Sequence, residues 1–348
     1  MRLYIKLKSQ KIIVALAIEN YYYGTSNLNF VTLNLRVNFM SLTSFLNLHD
    51  VKEKFEQEFQ MPEFEYRREI LAPPVLKNYM LVGTAFDYLL RFHIRYINQN
   101  FSAYHEIIES EWVAEQTLKR LRYLYLSDSI TISGLKENDP GKPLHTDKVM
   151  LLRKVADVIF RAKLYADDYV RTGIISDELY ECALILANLD EVVRSFAINH
   201  DFFSYDKKDV DELKHLYSVV NDDFFKAKYY CILNPSFGMA SHLVGGAAAD
   251  LIIDDTLIDI KTTKNLSFTR KYFNQLMGYY VLFKMRNSTI EGLEHKPWVK
   301  KLGVYYSRFG YLFTFPIKPI ISSKALIEFQ KCFRYRAKKE FSNSKNPV

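Results

Sequence analysis

Three cysteines in 348 residues are too few for a disulfide framework, and Cys182, Cys231 and Cys332 are scattered, odd in number and without Cys-x-x-Cys spacing. That argues against a zinc site, leaves no four-thiolate set for an iron–sulfur cluster, and favours a reducing, cytoplasmic compartment. No apolar run approaches the ~18–20 residues of a bilayer span, so no membrane partner is expected. There is no Gly-x-x-x-x-Gly-Lys-Ser/Thr stretch, hence no sign of a built-in nucleotide-driven motor, and no internal repeat. His145, His200, His215 and His295 have no partner at ligand spacing. Aspartate is missing from the last quarter of the chain. From Lys261 onward 18 Lys and Arg stand against four Glu, an excess of +14 in a chain whose net charge is +7, so the rest is acidic. A basic quarter beside acidic residues suits a polyanionic partner.

What is present concentrates in Gly245-Gly-Ala-Ala-Ala-Asp-Leu-Ile-Ile-Asp-Asp-Thr-Leu-Ile-Asp-Ile-Lys261. Two short β-branched apolar runs flank Asp254-Asp255, which predicts a hairpin. A loop centred on those two residues pairs Ile253 with Thr256 and Ile252 with Leu257, and sets Asp250 opposite Asp259. Side chains alternate faces, so Asp250, Asp259 and Lys261 share one. Like charges opposite each other on a sheet are destabilising, and carboxylates among apolar neighbours also lose solvation. A hard divalent cation held by the two carboxylates and a main-chain carbonyl, with an ammonium beside it, removes both penalties. The same set serves phosphodiester hydrolysis, in which Lys261 positions or deprotonates water or offsets charge on phosphate.

Asp250, a gap, and Asp259-Ile260-Lys261 together resemble the motif of the PD-(D/E)XK nuclease superfamily. Gln275-Leu-Met-Gly-Tyr279 resembles the Gln-x-x-x-Tyr motif of its RecB-like branch. Gly83-Thr-Ala-Phe-Asp87, on a helix with apolar Phe86, Leu89, Leu90 and Ile94, resembles that branch's first motif, although the position of Asp87 more commonly holds His. The resemblance implies an α/β fold: a restriction-endonuclease-like core, a small mixed sheet flanked by helices, with a helical insertion. It implies Mg²⁺ or Mn²⁺ held by Asp87, Asp250, Asp259 and the carbonyl of Ile260. It implies catalysis by Asp250, Asp259 and Lys261, with Gln275 orienting phosphate or water, and Tyr279 hydrogen-bonding the backbone or stacking on a base. A local alternative for Asp87 is an i,i+4 pair with Arg91.

The chain divides on this reading into an uncertain N-terminal extension (1–39), first helices of the core carrying Asp87 (40–100), a helical insertion (101–222) and the main core (223–348). The extension holds Arg2, Lys6, Lys8, Lys11 and Arg36 against one acid, Glu19. One amphipathic helix is predicted over 44–60, another over 104–126, near-continuous helix over 147–220 with breaks at 173–176 and 199–209, and a strand over 224–233. A helix over 267–283 carries Gln275 on a stripe with Tyr272 and Tyr279. A hairpin turns at 308–310, and a basic helix closes the chain over 323–341. Lys264, Arg270 and Lys271 beside the hairpin, and Lys331, Arg334 and Lys338 on the last helix, are the candidate DNA contacts. The expected function is a metal-dependent deoxyribonuclease acting in DNA processing, repair or defence, with a helicase or other DNA-processing protein as a partner. The alternatives are a catalytically inactive nucleic-acid-binding scaffold on the same fold, and an unrelated enzyme whose hairpin mimics the motif.

Overall fold

The structure is a computed structural model that describes residues 41–99, 107–127, 146–195, 202–285 and 298–343. The expected extension over 1–39 lies outside the described residues. Two short helices come first, α1 (Leu42–Leu46) and α2 (His49–Glu58). They replace the single helix expected over 44–60. Ser41 caps α1 with its hydroxyl on the Ser44 amide, and Asn47 closes it after barely more than one turn. The long helix α3 (Tyr79–Ile97) carries Asp87 and is followed by β1 (Ile107–Glu109) and α4 (Val113–Ser127).

That strand corrects the helix expected over 104–126. Ile107 and Ile108 pair in parallel with β2 (Cys231–Leu233), and α4 starts only where Glu115 reaches back to accept the Trp112 amide at 3.0 Å, half of a capping box. The helices described between α4 and β2 are α5 (Thr146–Thr172), α6 (Asp177–Ser195) and α7 (Lys207–Ser218), and because β1 lies in the sheet, the stretch expected as a helical insertion over 101–222 is not purely helical. Gly173, at φ +72°, ends α5, and a Cβ there would lie 2.5 Å from the Tyr96 hydroxyl.

The strand expected over 224–233 shrinks to the three residues of β2. The cause is Asp254, whose carboxylate accepts the amides of Lys228, Tyr229 and Tyr230 at 2.6–3.1 Å and so withdraws them from any ladder. After the single turn α8 (Met239–His242) come β3 (Leu251–Ile253) and β4 (Thr256–Lys261). They pair Ile253 with Thr256 and Ile252 with Leu257, the register expected from the turn position. Asp254 occupies the turn at φ +50°, a conformation Asp tolerates better than most residues. Helix α9 (Arg270–Met285) leads to β5 (Lys301–Tyr306), parallel to β4. A turn through Gly310 gives the antiparallel β6 (Tyr311–Pro316), and α10 (Ser323–Asn343) follows.

The described strands form one mixed sheet in chain order, β1 to β6, with helices on both faces. Alternation along β4 divides the core. Ile258 packs with α3, α6 and α7 on one face, while Leu257 packs with α1, α2, α9 and α10 on the other. Two apolar layers on one sheet are the arrangement that buries both faces of central strands. Helix α7 is tied to the turn between β5 and β6 by a buried ion pair, Arg308 to Glu212 at 2.5 Å. Among the described residues no helix is long and apolar enough to cross a membrane.

Candidate active site

The far end of β4 brings together residues from four elements: β4 itself, α9, the start of β3 and α3. Asp259 is 2% exposed, and Lys261 Nζ lies 2.5 Å from its Oδ2, off the direction of a good hydrogen bond. Lys261 also donates to Gln275 Oε1 at 3.0 Å, and Gln275 Nε2 donates to the Tyr279 hydroxyl at 2.9 Å. Spacing explains this line: Gln275 and Tyr279 stand one turn apart on the face of α9 that covers β4. The ring of Tyr272, one turn earlier, lies 5.1 Å from the Lys261 ammonium.

Asp250 enters from the start of β3. Its Oδ2 accepts the Ile260 amide at 2.6 Å, and its own carbonyl accepts the Asn234 amide. The residue keeps some accessible surface, yet protein crowds its carboxyl. Burial, then the nearby Asp259 and Asp87, push the Asp250 carboxyl well above the usual carboxylate range. Burial raises Asp259 as well, although Lys261 works in the opposite direction. For Lys261, burial disfavours the charge, but Asp259 and Asp250 outweigh it and hold the ammonium above the ordinary lysine value. The two acids resist sharing this space as anions.

Asp87 arrives on α3, whose Gly83 packs beside Thr262 just past the end of β4; a Cβ at Gly83 would sit 3.5 Å from the Thr262 Cβ, an ordinary contact. Its Oδ2 pairs with Arg91 at 3.0 Å, so the i,i+4 pair is present, and its Oδ1 is buried without a hydrogen-bond partner. Arg91 is buried too and bridges Asp87 to Glu109 of β1 at 2.9 Å. Among the described residues no three His, Cys, Asp or Glu side chains gather as a metal group. The fold brings Asp250 and Asp259 together and holds Asp87 near them on Arg91. Ile260 turns its amide, not a carbonyl, toward Asp250.

Tyr279 departs from expectation. It is buried, lies 5.9 Å from Phe237, and its hydroxyl is occupied by Gln275, so its ring is not offered to a base. Arg270 departs too: its guanidinium donates to the carbonyls of Phe55 and Phe59, closing the end of α2. Lys264 and Lys271 are exposed, while Lys331 pairs with Glu328 on the exposed side of α10, and Arg334 is exposed there too. One neighbour of the site escapes the sequence: Glu109 has no local signal, because Ile-Ile-Glu fits a helix as well as a strand, whereas Tyr272 is visible on the same helical stripe as Gln275. A cleft of about 520 Å³ between β1, α4 and α5 reaches Glu109 but not the hairpin acids. Its charges pair among themselves, Arg95 with Asp167 and Lys163 with Glu115, and it carries no further chemistry.

No family model, curated protein or solved structure matches the chain.

Proposed function

We propose that the chain is a metal-dependent nuclease that hydrolyses DNA phosphodiesters, with the mixed sheet serving as a restriction-endonuclease-like core. The observation that carries this is the convergence of Asp250 and Asp259, two crowded carboxylates, with a lysine fixed by Gln275 and Tyr279. A divalent cation fits the donor set: hard oxygen atoms, one unpartnered carboxylate oxygen on Asp87, and two acids whose mutual repulsion a cation relieves. Asp250 and Asp259 would hold it, and Mg²⁺ or Mn²⁺ there would supply an acidified water and counter-charge for phosphate. Lys261 stands as an ammonium beside both acids, so its role is to steady negative charge on the phosphate. Gln275 holds that ammonium in one place, and Tyr279 holds Gln275. Arg91 fixes the position of the Asp87 carboxylate along α3.

The test is incubation of the full chain with labelled linear, circular and single-stranded DNA, with and without Mg²⁺ or Mn²⁺. Metal-dependent cleavage lost in Lys261→Ala is the expected result; cleavage unchanged in that variant rules the site out. The pairing of Asp87 with Arg91 favours a second reading, a nucleic-acid-binding scaffold without catalysis, which predicts binding and no cleavage in any metal.

A further inference from the structure

The stacking position that Tyr279 does not provide exists elsewhere on the same sheet face. Lys261 is in register with Tyr306, and Tyr306 with Tyr311, so the three side chains share a face across β4, β5 and β6. The rings of Tyr306 and Tyr311 are near parallel, 17° apart with centroids at 6.4 Å. The extended segment after α2 lies over this row and contributes alternate residues to it. Phe64 is 5.9 Å from Tyr306, Tyr66 is 4.8 Å from Tyr311, and the Arg68 guanidinium stands 4.6 Å over the Tyr311 ring. The residues between them, Glu65 and Arg67, are exposed, as is Glu63 just before. Tyr66 itself is 50% exposed, unusual for a ring so well supported from below.

We propose that Tyr66, backed by Tyr311 and flanked by Arg68, is a stacking platform for a base of single-stranded DNA leading into the Lys261 site. This rests on the nuclease reading and adds the substrate class. Three observations carry it. The platform is continuous with the site, since Tyr306 links the two. Two strand spacings separate Tyr311 from Lys261, about 10 Å, the rise of roughly three stacked nucleotides. The composition, an exposed ring with a guanidinium beside it, matches sequence-tolerant recognition of unpaired bases, whose faces are hidden in a duplex.

The experiment measures binding of the full chain to a fluorescein-labelled single-stranded oligonucleotide and to the matching blunt duplex, in Ca²⁺ to suppress cleavage. Tyr66→Ala should weaken single-strand binding about tenfold, Tyr66→Phe should keep wild-type affinity because the ring remains, and duplex binding should change little. In Mg²⁺ the alanine variant should raise KM for a single-stranded substrate with kcat nearly unchanged, because no reacting group is touched. If Tyr66→Ala binds the single strand as wild type does, or Tyr66→Phe falls as far as Tyr66→Ala, there is no platform. Those results leave the nuclease reading standing wherever wild type cleaves. A wild-type chain that binds neither DNA overturns both.

Discussion

Two buried clusters of charge sit in this sheet, and they are built in opposite ways. Around Glu212 most polar atoms are used: Oε1 accepts Arg308, Oε2 accepts the Val75 amide at 2.7 Å, and Arg308 donates again to the Ala72 carbonyl, leaving only its Nε and, one turn earlier on α7, Asp209 Oδ1 without a partner. The backbone carbonyl of Arg308 accepts the amides of Leu71 and Ala72 as well. At the end of β4, by contrast, three acids crowd two cations, and Asp87 Oδ1 has no hydrogen-bond partner. A satisfied cluster ties helix α7 and the 71–76 loop to the sheet and is what a fold needs. An unsatisfied one is a local cost that folding alone has no reason to keep, which is why it is the candidate for chemistry.

The contrast can be broken most directly by substitution. Asp259→Asn and Lys261→Ala should each lower cleavage by about 10³-fold or more, equivalent to about 4 kcal/mol at the transition state, while the chain stays folded. Steady-state kinetics paired with a melting curve checks both halves. The control is Asp255→Asn rather than Asp254→Asn, because the Asp254 carboxylate anchors three backbone amides and its loss would disturb the hairpin itself. Arg308→Ala should show the reverse pattern. It strands Glu212 in the core and should cost about 3–5 kcal/mol in urea unfolding; a loss below about 1 kcal/mol would mean the two clusters are not different in kind.

A finer contrast comes from pH. Asp250 and Asp259 bind protons more tightly in the folded chain than in the unfolded one, so folding holds extra protons above the ordinary carboxylate pKa of about 4. Stability of the metal-free protein should therefore fall as pH rises from about 4 through the raised values, and Asp250→Asn should flatten that fall. Added Ca²⁺ should restore stability at the upper end, because it binds the ionised pair and competes with protons. Melting temperatures across pH, with chelator and with Ca²⁺, measure this; a metal-free wild type whose stability rises over that window would mean the acids are not crowded.

The hairpin, its register, the last hairpin and the long helices were legible in the sequence because each rests on local chemistry: β-branched runs around a turn, or apolar residues at helical spacing. The line from Lys261 through Gln275 to Tyr279 was legible as a spacing on one helix face. Strand β1 was not, since three residues of Ile-Ile-Glu fit a helix as well as a strand, and only pairing with β2, more than a hundred residues away, decides. The short β2 was hidden for a similar reason: a side chain from another turn, Asp254, takes the amides that would have extended it. The burial of Tyr279 and the diversion of Arg270 to helix capping are tertiary facts with no local signature. The Tyr66 platform is equally non-local, assembled from a loop and the far edge of the sheet.

The smallest expected effect lies on α10, which sets a satisfied surface against the unsatisfied site. Phe329 and Phe333 pack it on Phe55 of α2, so its opposite side faces solvent with Lys331, Arg334 and Lys338. Several of its charges already have partners: Lys331 has Glu328, and Arg336 has Asp50 and Glu340. Exposed pairs of this kind are worth ~0–1 kcal/mol and give way readily to a phosphate, so pairing alone does not remove the helix from a DNA path. If these side chains contact phosphates, replacing Lys331, Arg334 and Lys338 with Gln should weaken binding to all sequences alike. Each lost contact should flatten the salt dependence by about 0.9 log units on a duplex, or about 0.7 on a single strand. Cleavage position should not move, because the acids and Lys261 sit on other elements. A salt series in Ca²⁺ reads the slope directly. A slope equal to wild type would make α10 a solvated face and leave Lys264 and Lys271, beside the hairpin, as the cations that guide the strand.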